Sequence, residues 1–191
     1  YFMYTTGHYY KGAQPNAGFA SLVGVYVYSS SYDKGEFFSS EDIATVPLTT
    51  PLNNLKVFGG GPASILKIGA TGNAPNPRHI KIAVNGVELK DTVMDYFNDL
   101  VTTVPVNTSD ISSGTASVRF TNTTTNTRDR MRVSFFELTY PRTFDFNGQS
   151  NFSFELPAKA GGYYLEISSF NAGSVQPVLY DRKNGERFLG D

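Results

Sequence analysis

The chain has 191 residues, of which 40 % are hydrophobic and 14 % aromatic, and a formal net charge of −1. That length fits one large domain, or a domain with an extra subdomain, and is enough to bury a core, while the near-neutral balance supplies no basic field for nucleic acid or an anionic membrane. There is no cysteine, which excludes disulfides, thiolate nucleophiles and cysteine-ligated metals within this chain.

The first 40 residues are aromatic and irregular. Tyr1–Tyr10 could begin with a short strand, Gly18–Tyr28 reads as a strand or a short helix leading into one, and the pattern imposes no single structure on this part. From Ile43 the pattern clears. Ile43–Leu48 reads as a strand edged by Pro47, Asn54–Phe58 as a second and Ser64–Ile68 as a third. The segment Thr71–Arg78, with Gly72, Pro75 and Pro77, is a loop. In His79–Leu89, Ile80, Ile82 and Val84 alternate with His79, Lys81 and Ala83. Asn85-Gly86 is a type I′ hairpin signal, since both residues tolerate positive φ.

Asp91–Leu100 reads as a strand with a short helical turn, and Leu100–Val106 and Thr115–Thr121 as further strands. The clearest strand follows at Met131–Tyr140, where β-branched and aromatic residues suit a pleated, half-buried surface. Strict alternation puts Val133, Phe135 and Glu137 on one side and Ser134, Phe136, Leu138 and Tyr140 on the other, with Val133 and Phe135 expected in the core. Pro141 should stop or turn the ladder. Asn151–Leu156, Tyr163–Phe170 and Val178–Tyr180 complete the set, and Asn184-Gly185 is a second hairpin signal.

About ten strands with turn signals every 8–12 residues point to an all-β fold. The expectation is a jelly-roll-like β-sandwich of the galactose-binding-like kind over residues 41–191, preceded by the irregular aromatic segment 1–40 as a lead-in or subdomain. Charged residues are only 17 %, below the usual quarter, and Asn, Thr and Ser take their place. That profile suits a secreted or cell-surface β-protein. No stretch approaches the ~20 apolar residues of a membrane span. The opening Tyr1-Phe2-Met3-Tyr4 lacks an initiator methionine and a basic n-region, so a start inside a longer protein or after processing is expected. Asp181–Asp191 reads as a cut through a continuing sheet.

No catalytic constellation is visible. His8 and His79 stand far apart with no HxxxH or HxH spacing, so neither zinc nor acid–base work is indicated, and His79 should face solvent. There is no Gly-x-Ser-x-Gly elbow, and Gly59-Gly60-Gly61-Pro62 lacks the Lys and helix of a phosphate loop. Arg128, Arg130 and Arg132 read as a solvated strand edge. Asp33 and Glu36, followed by Glu41 and Asp42, form a small acidic cluster. It is either a solvated loop or a structural Ca²⁺ site, with Asp33 and Glu36 as the candidate ligands. The tyrosines Tyr9, Tyr10, Tyr26, Tyr28 and Tyr32 have two readings. They either pack the inner face or a neighbouring domain, or form a sugar-stacking platform, for which Tyr9, Tyr10 and Tyr32 are the candidates.

Several segments together resemble a known family. Ser134–Arg142 resembles the "D-Y-I-E-L-x-Y-P-R" corner of the gingipain-like cysteine peptidases of the type IX secretion system, PorU-type sortases among them. Pro177–Arg187 resembles their following "Y-D-x-T-N-G-x-R" segment, Ile82–Gly86 their upstream "V-x-V-N-G" strand, and Tyr32–Glu36 an early "x-x-x-G-E" segment, in matching order over about residues 30–191. Ser134, Phe135 and Phe136 depart from the pattern's Asp, Tyr and Ile, and Lys183 from its Thr. The resemblance implies a non-catalytic N-terminal β-domain at the extracellular or outer-membrane surface. Its partners would be the peptidase domain of the same polypeptide and secretion-system components. The family's catalytic Cys and His belong downstream, so no catalytic residue carries over. The alternatives are a carbohydrate-binding module and a structural surface-adhesion domain.

Overall fold

A computed structural model describes residues 1–11, 17–20, 25–28 and 38–190. In chain order its strands are β1 (Phe2–Tyr9), β2 (Ala17–Ala20), β3 (Val25–Tyr28), β4 (Leu48–Leu52), β5 (Ser64–Gly72), β6 (Arg78–Val84), β7 (Val87–Met94), β8 (Asp99–Val106), β9 (Ala116–Asn122), β10 (Met131–Arg142), β11 (Val178–Asp181) and β12 (Glu186–Leu189). One 3₁₀ turn, Thr108–Ile111, precedes β9. The chain divides into two units, Tyr1 with Met3–Arg142, and Phe2 with Thr143–Asp191. Residues Phe2–Tyr9 form a strand of a sheet, tied to β10 by the Thr5–Thr139 hydroxyl pair at 2.8 Å and by the Tyr10 N–H on the Ser134 carbonyl at 3.0 Å.

The first unit is a jelly-roll-like β-sandwich of two four-stranded sheets, ordered β1-β10-β5-β8 and β4-β9-β6-β7, with β2 and β3 as a separate antiparallel hairpin. Period-2 alternation fills the space between the sheets. Leu66 and Ile68 of β5 and Val104 and Val106 of β8 are buried from one side, and Ile80, Ile82 and Val84 of β6 with Val118 and Phe120 of β9 from the other. Phe120 and Phe136 meet across the middle, ring centres 5.9 Å apart. Asn85-Gly86 makes the β6–β7 hairpin with φ of 49° and 85°, as its chemistry requires.

Four expectations are corrected. The first strand after residue 40 is Leu48–Leu52, with Pro51 inside it; β4 is an edge strand, where a missing N–H is tolerated. Asn54–Phe58 makes only a bridge from Val57 to Arg142, because the Leu55 N–H is taken by the Gly114 carbonyl at 2.9 Å. In Asp91–Leu100 the strand is there, as the end of β7 at Met94 and the start of β8 at Asp99, but the helical turn is a plain two-residue turn at Tyr96-Phe97, with Tyr96 at φ 47°. Asn151–Leu156 and Tyr163–Phe170 build no ladder beyond a bridge from Asp145 to Ser168. The alternating phenylalanines of the second unit pack as rings instead: Phe146 stacks on Phe152 at 4.3 Å and meets Phe154 at 5.8 Å and Phe170 at 6.2 Å.

One end of the sandwich is organised by a buried charge. The side chains of Arg78 and Asp129 are wholly buried, with Arg78 Nε 2.8 Å from Asp129 Oδ1. The other guanidinium nitrogens donate to four carbonyls, those of Ala74 (3.0 Å), Asn76 (2.8 Å), Met94 (3.3 Å) and Tyr96 (2.8 Å). Asn122 Nδ2 donates to Asp129 Oδ2 at 2.7 Å. A Cβ at Gly72 would collide with the Tyr96 carbonyl and Arg78 Nη1, so only glycine leaves room there. Asp129→Ala strands this guanidinium without its counter-charge and is expected to lower unfolding free energy by about 3–5 kcal/mol. Lys81→Ala, at an exposed ion pair with Glu88, should leave it essentially unchanged. Urea denaturation of the two variants beside the parent chain measures both.

Candidate functional site

A bulge in β10 decides what its sheet presents outward. The register of β10 against β5 shifts between Val133 and Phe135. The extra residue switches the strand's parity, so Val133, Phe136, Leu138 and Tyr140 are all buried. Phe135, expected in the core with Val133, instead lies on the outer face with Glu137 and Thr139. There Phe135 pairs with Gly69, Glu137 with Lys67 and Thr139 with Ile65. On the far side of β5, Gly69 pairs with Val101, Lys67 with Thr103 and Ile65 with Pro105.

Gly69 has no side chain to stand in the way, and the Phe135 ring lies across it, where a Cβ would collide. The Tyr9 ring of β1 sits beside Phe135, centres 5.8 Å apart and planes 19° apart. The Tyr9 hydroxyl donates to Glu137 Oε1, Lys67 Nζ lies 3.8 Å from Glu137 Oε2, and the same ammonium is 5.5 Å from the centre of the Phe135 ring. Tyr9 is 55 % exposed and Val101 59 % exposed. The hydrogen bond to Glu137, followed by desolvation and the nearby negative charge, holds the Tyr9 phenol above its ordinary pKa. Chemically the face offers two aromatic rings, a carboxylate, an ammonium and the Thr5 and Thr139 hydroxyls.

The sequence candidates separate. Tyr9 belongs to this face. Tyr10 does not: it packs against the core, its hydroxyl 2.7 Å from Thr50 Oγ1 and its ring edge-on to His8 at 4.5 Å, and burial pushes its phenol up. Tyr32, Asp33 and Glu36 lie outside the described residues, and so does the candidate Ca²⁺ site built on them. Of the neighbouring acids, Asp42 Oδ1 accepts from Asn73 Nδ2 at 2.8 Å and from Arg132 Nε at 2.7 Å, with Arg130 Nε at 3.8 Å. These arginines are thus held by an acid at the sheet end rather than left in solvent. Phe135, Glu137 and Lys67 were not singled out from the sequence; the usable signal was Gly69, a strand glycine asking for an aromatic neighbour.

His79 faces solvent as expected, Nδ1 3.1 Å from Asp91 Oδ1. This contact, and then Lys81, holds the Asp91 carboxyl below its ordinary range. His8 lies against the rings of Tyr10 and Phe136. Among the described residues no group of three His, Asp or Glu is placed to hold a metal ion. The Tyr140-Pro141-Arg142 corner is a packed latch. Tyr140 is fully buried, the Arg142 guanidinium lies 4.8 Å over the Tyr4 ring and donates to the Tyr140 hydroxyl at 3.3 Å, and the Phe58 N–H bonds the Pro141 carbonyl at 2.8 Å. The ladder ends one residue after Pro141, close to where that proline was expected to stop it.

No family model matches the chain, and no curated protein matches it. One solved structure, the dimeric latent PorU of Porphyromonas gingivalis, aligns over 78 % of this chain with a TM-score of 0.53 and 13 % identity. In fold, the chain is similar to part of PorU. It spans 13 % of the length of that PorU chain. The CBM36-1 domain of a multidomain xylanase from the hindgut metagenome of Trinervitermes trinervoides aligns over 71 % of this chain and 96 % of its own, with a TM-score of 0.43 and 9 % identity. Of these two alignments, the PorU one, with its TM-score above 0.5, carries the fold comparison.

The Tyr9–Glu137 contact yields a direct check. Glu137→Gln removes the charge and weakens the acceptor, so the Tyr9 phenol should titrate at lower pH, back toward the usual tyrosine range. An NMR titration of the Tyr9 ring in the two proteins reads the shift.

Proposed function

We propose that this chain is a non-catalytic accessory β-sandwich domain of a larger gingipain-like cysteine peptidase or type IX secretion sortase. It would be exposed outside the outer membrane, where it packs on the peptidase domain or presents substrate to it. The observation that carries this reading is the PorU likeness, which extends over most of this chain yet occupies a small part of the longer protein. The three ordered landmarks, Ile82–Gly86, Ser134–Arg142 and Pro177–Arg187, support it. Their packing gives them architectural work: a hairpin turn, a buried latch and a ribbon.

That ribbon supports attachment to something larger. In β11–β12, Val178 pairs with Leu189 and Tyr180 with Arg187, yet Tyr180 is 64 % exposed, Leu189 55 % and Phe188 48 %. An isolated two-stranded hairpin is marginal in water, and clustered exposed apolar residues mark a surface that another body covers. The absence of a cysteine fits a parent whose nucleophile lies elsewhere. The His79 ring nitrogen Nδ1 is paired with the Asp91 carboxylate rather than with a hydroxyl. No helix among them is long and apolar enough to cross a membrane.

Two measurements test the proposal. The coding sequence contiguous with this chain is expected to encode a peptidase domain with a Cys–His pair; a glycoside hydrolase there overturns the reading. The purified 191-residue chain is expected to leave casein uncut, and cleavage above a buffer control would contradict a non-catalytic role.

A further inference from the structure

We propose that the outer face of the β1–β10–β5–β8 sheet is a carbohydrate-binding site, with Tyr9 and Phe135 as the stacking rings and Glu137 and Lys67 as the hydrogen-bonding pair. This goes beyond the accessory role and stands whatever polypeptide carries the domain.

Tyr9 and Phe135 are nearly parallel and adjacent, and the floor beside them is kept low by Gly69 and by Gly7, whose Cβ would strike the β10 backbone. A pyranose offers a flat patch of C–H groups ringed by hydroxyls. Such a patch fits aromatic faces, with hydroxyls directed to polar groups at the rim. Ring packing of this kind is favourable because tyrosine and phenylalanine carry a large apolar body with a fixed geometry.

Glu137 is held between the Tyr9 hydroxyl and Lys67 Nζ, so an acceptor and a donor stand pre-positioned at the edge of the rings. Thr5 and Thr139 add hydroxyls 2.8 Å from each other on the neighbouring row. Lys67 and Glu137 cancel in charge, so the face exerts little pull on a phosphate or an acidic peptide and suits a neutral, hydroxyl-rich ligand.

Four strands about 4.8 Å apart span about 14 Å, and three rows of alternate residues cover a similar length. That is roughly 200 Å², far below the ~800 Å² per partner of a stable protein interface. It is enough for a few sugar units. Exposed aliphatic groups of the face are scattered: Ile65 and Val101 are separated by Lys67, Thr103 and Gly69, and Met3 lies on β1.

The test is affinity electrophoresis of the whole chain in native gels containing soluble xylan, mannan, mixed-linkage β-glucan or pullulan. Retardation by at least one polysaccharide is expected. Tyr9→Ala should weaken it by at least about tenfold, Glu137→Ala should also weaken it, and Tyr9→Phe should largely retain it. Tyr9 is exposed, so its removal should leave the fold intact, which a thermal melt verifies; Phe135→Ala is a second variant and Lys67→Ala a third, remote from the core. No retardation in any of the four gels overturns the proposal. So does retardation that survives both Tyr9→Ala and Lys67→Ala, which would put the binding on another surface.

Discussion

The sandwich depends on one buried guanidinium. Three connections carry the chain between the sheets at one end: β5 to β6, β7 to β8, and β9 to β10. Arg78 touches all three. It takes the carbonyls of Ala74 and Asn76 in the first, those of Met94 and Tyr96 at the second, and the carboxylate of Asp129 in the third. Crossing loops that leave a sheet carry backbone carbonyls without ladder partners, and burying them unsatisfied is costly. A fork of five N–H donors answers several at once. The cost of burying that charge is offset only with Asp129 in place, and Asn122 fixes Asp129 in turn. The network therefore specifies where three crossovers sit as well as holding them, and Gly72 is glycine because the Tyr96 carbonyl and Arg78 occupy its side-chain space.

The outer face of the β1–β10–β5–β8 sheet follows from a second local device. The bulge after Val133 lets one strand bury Val133 and then Phe136, Leu138 and Tyr140. Without it, the residues after the bulge would keep the other parity and Phe135 would point inward. With it, Phe135, Glu137 and Thr139 become an outward row facing Gly69, Lys67 and Ile65. Bulges commonly re-aim a side chain near functional surfaces. Here the re-aimed ring finds Tyr9 from β1 on one side and a glycine on the other, which joins the architecture of β10 to the chemistry of the face.

Much of this was legible in the sequence where period 2 runs unbroken. Ile80, Ile82 and Val84 gave β6 and its inward face, and Asn85-Gly86 gave its turn. The long strand ending at Tyr140-Pro141-Arg142 was equally plain. The bulge is not legible, because parity counting assumes that every residue advances the pleat by one, which points Phe135 into the core and away from Tyr9. Nor is the role of Arg78, which by its neighbours reads as loop, since its partners at 94, 96 and 129 are distant in sequence. In the second unit, Phe152, Phe154 and Leu156 alternate like a strand, but alternation reports only which side is apolar. Their rings pack with Phe146 without a ladder partner. Tyr10 and Tyr9 are neighbours of one residue type, and only the fold shows that one packs inward while the other is exposed.

As proposed, this sandwich works as an attached domain, and the rest of its polypeptide then covers the β11–β12 ribbon. Hydrogen–deuterium exchange measures that cover most directly, comparing the chain alone with the same residues in the contiguous longer protein. Markedly slower exchange is expected at Val178–Asp181 and Glu186–Leu189 in the longer protein, with the β5, β6 and β10 amides unchanged. Equal exchange of the ribbon in both forms would contradict it.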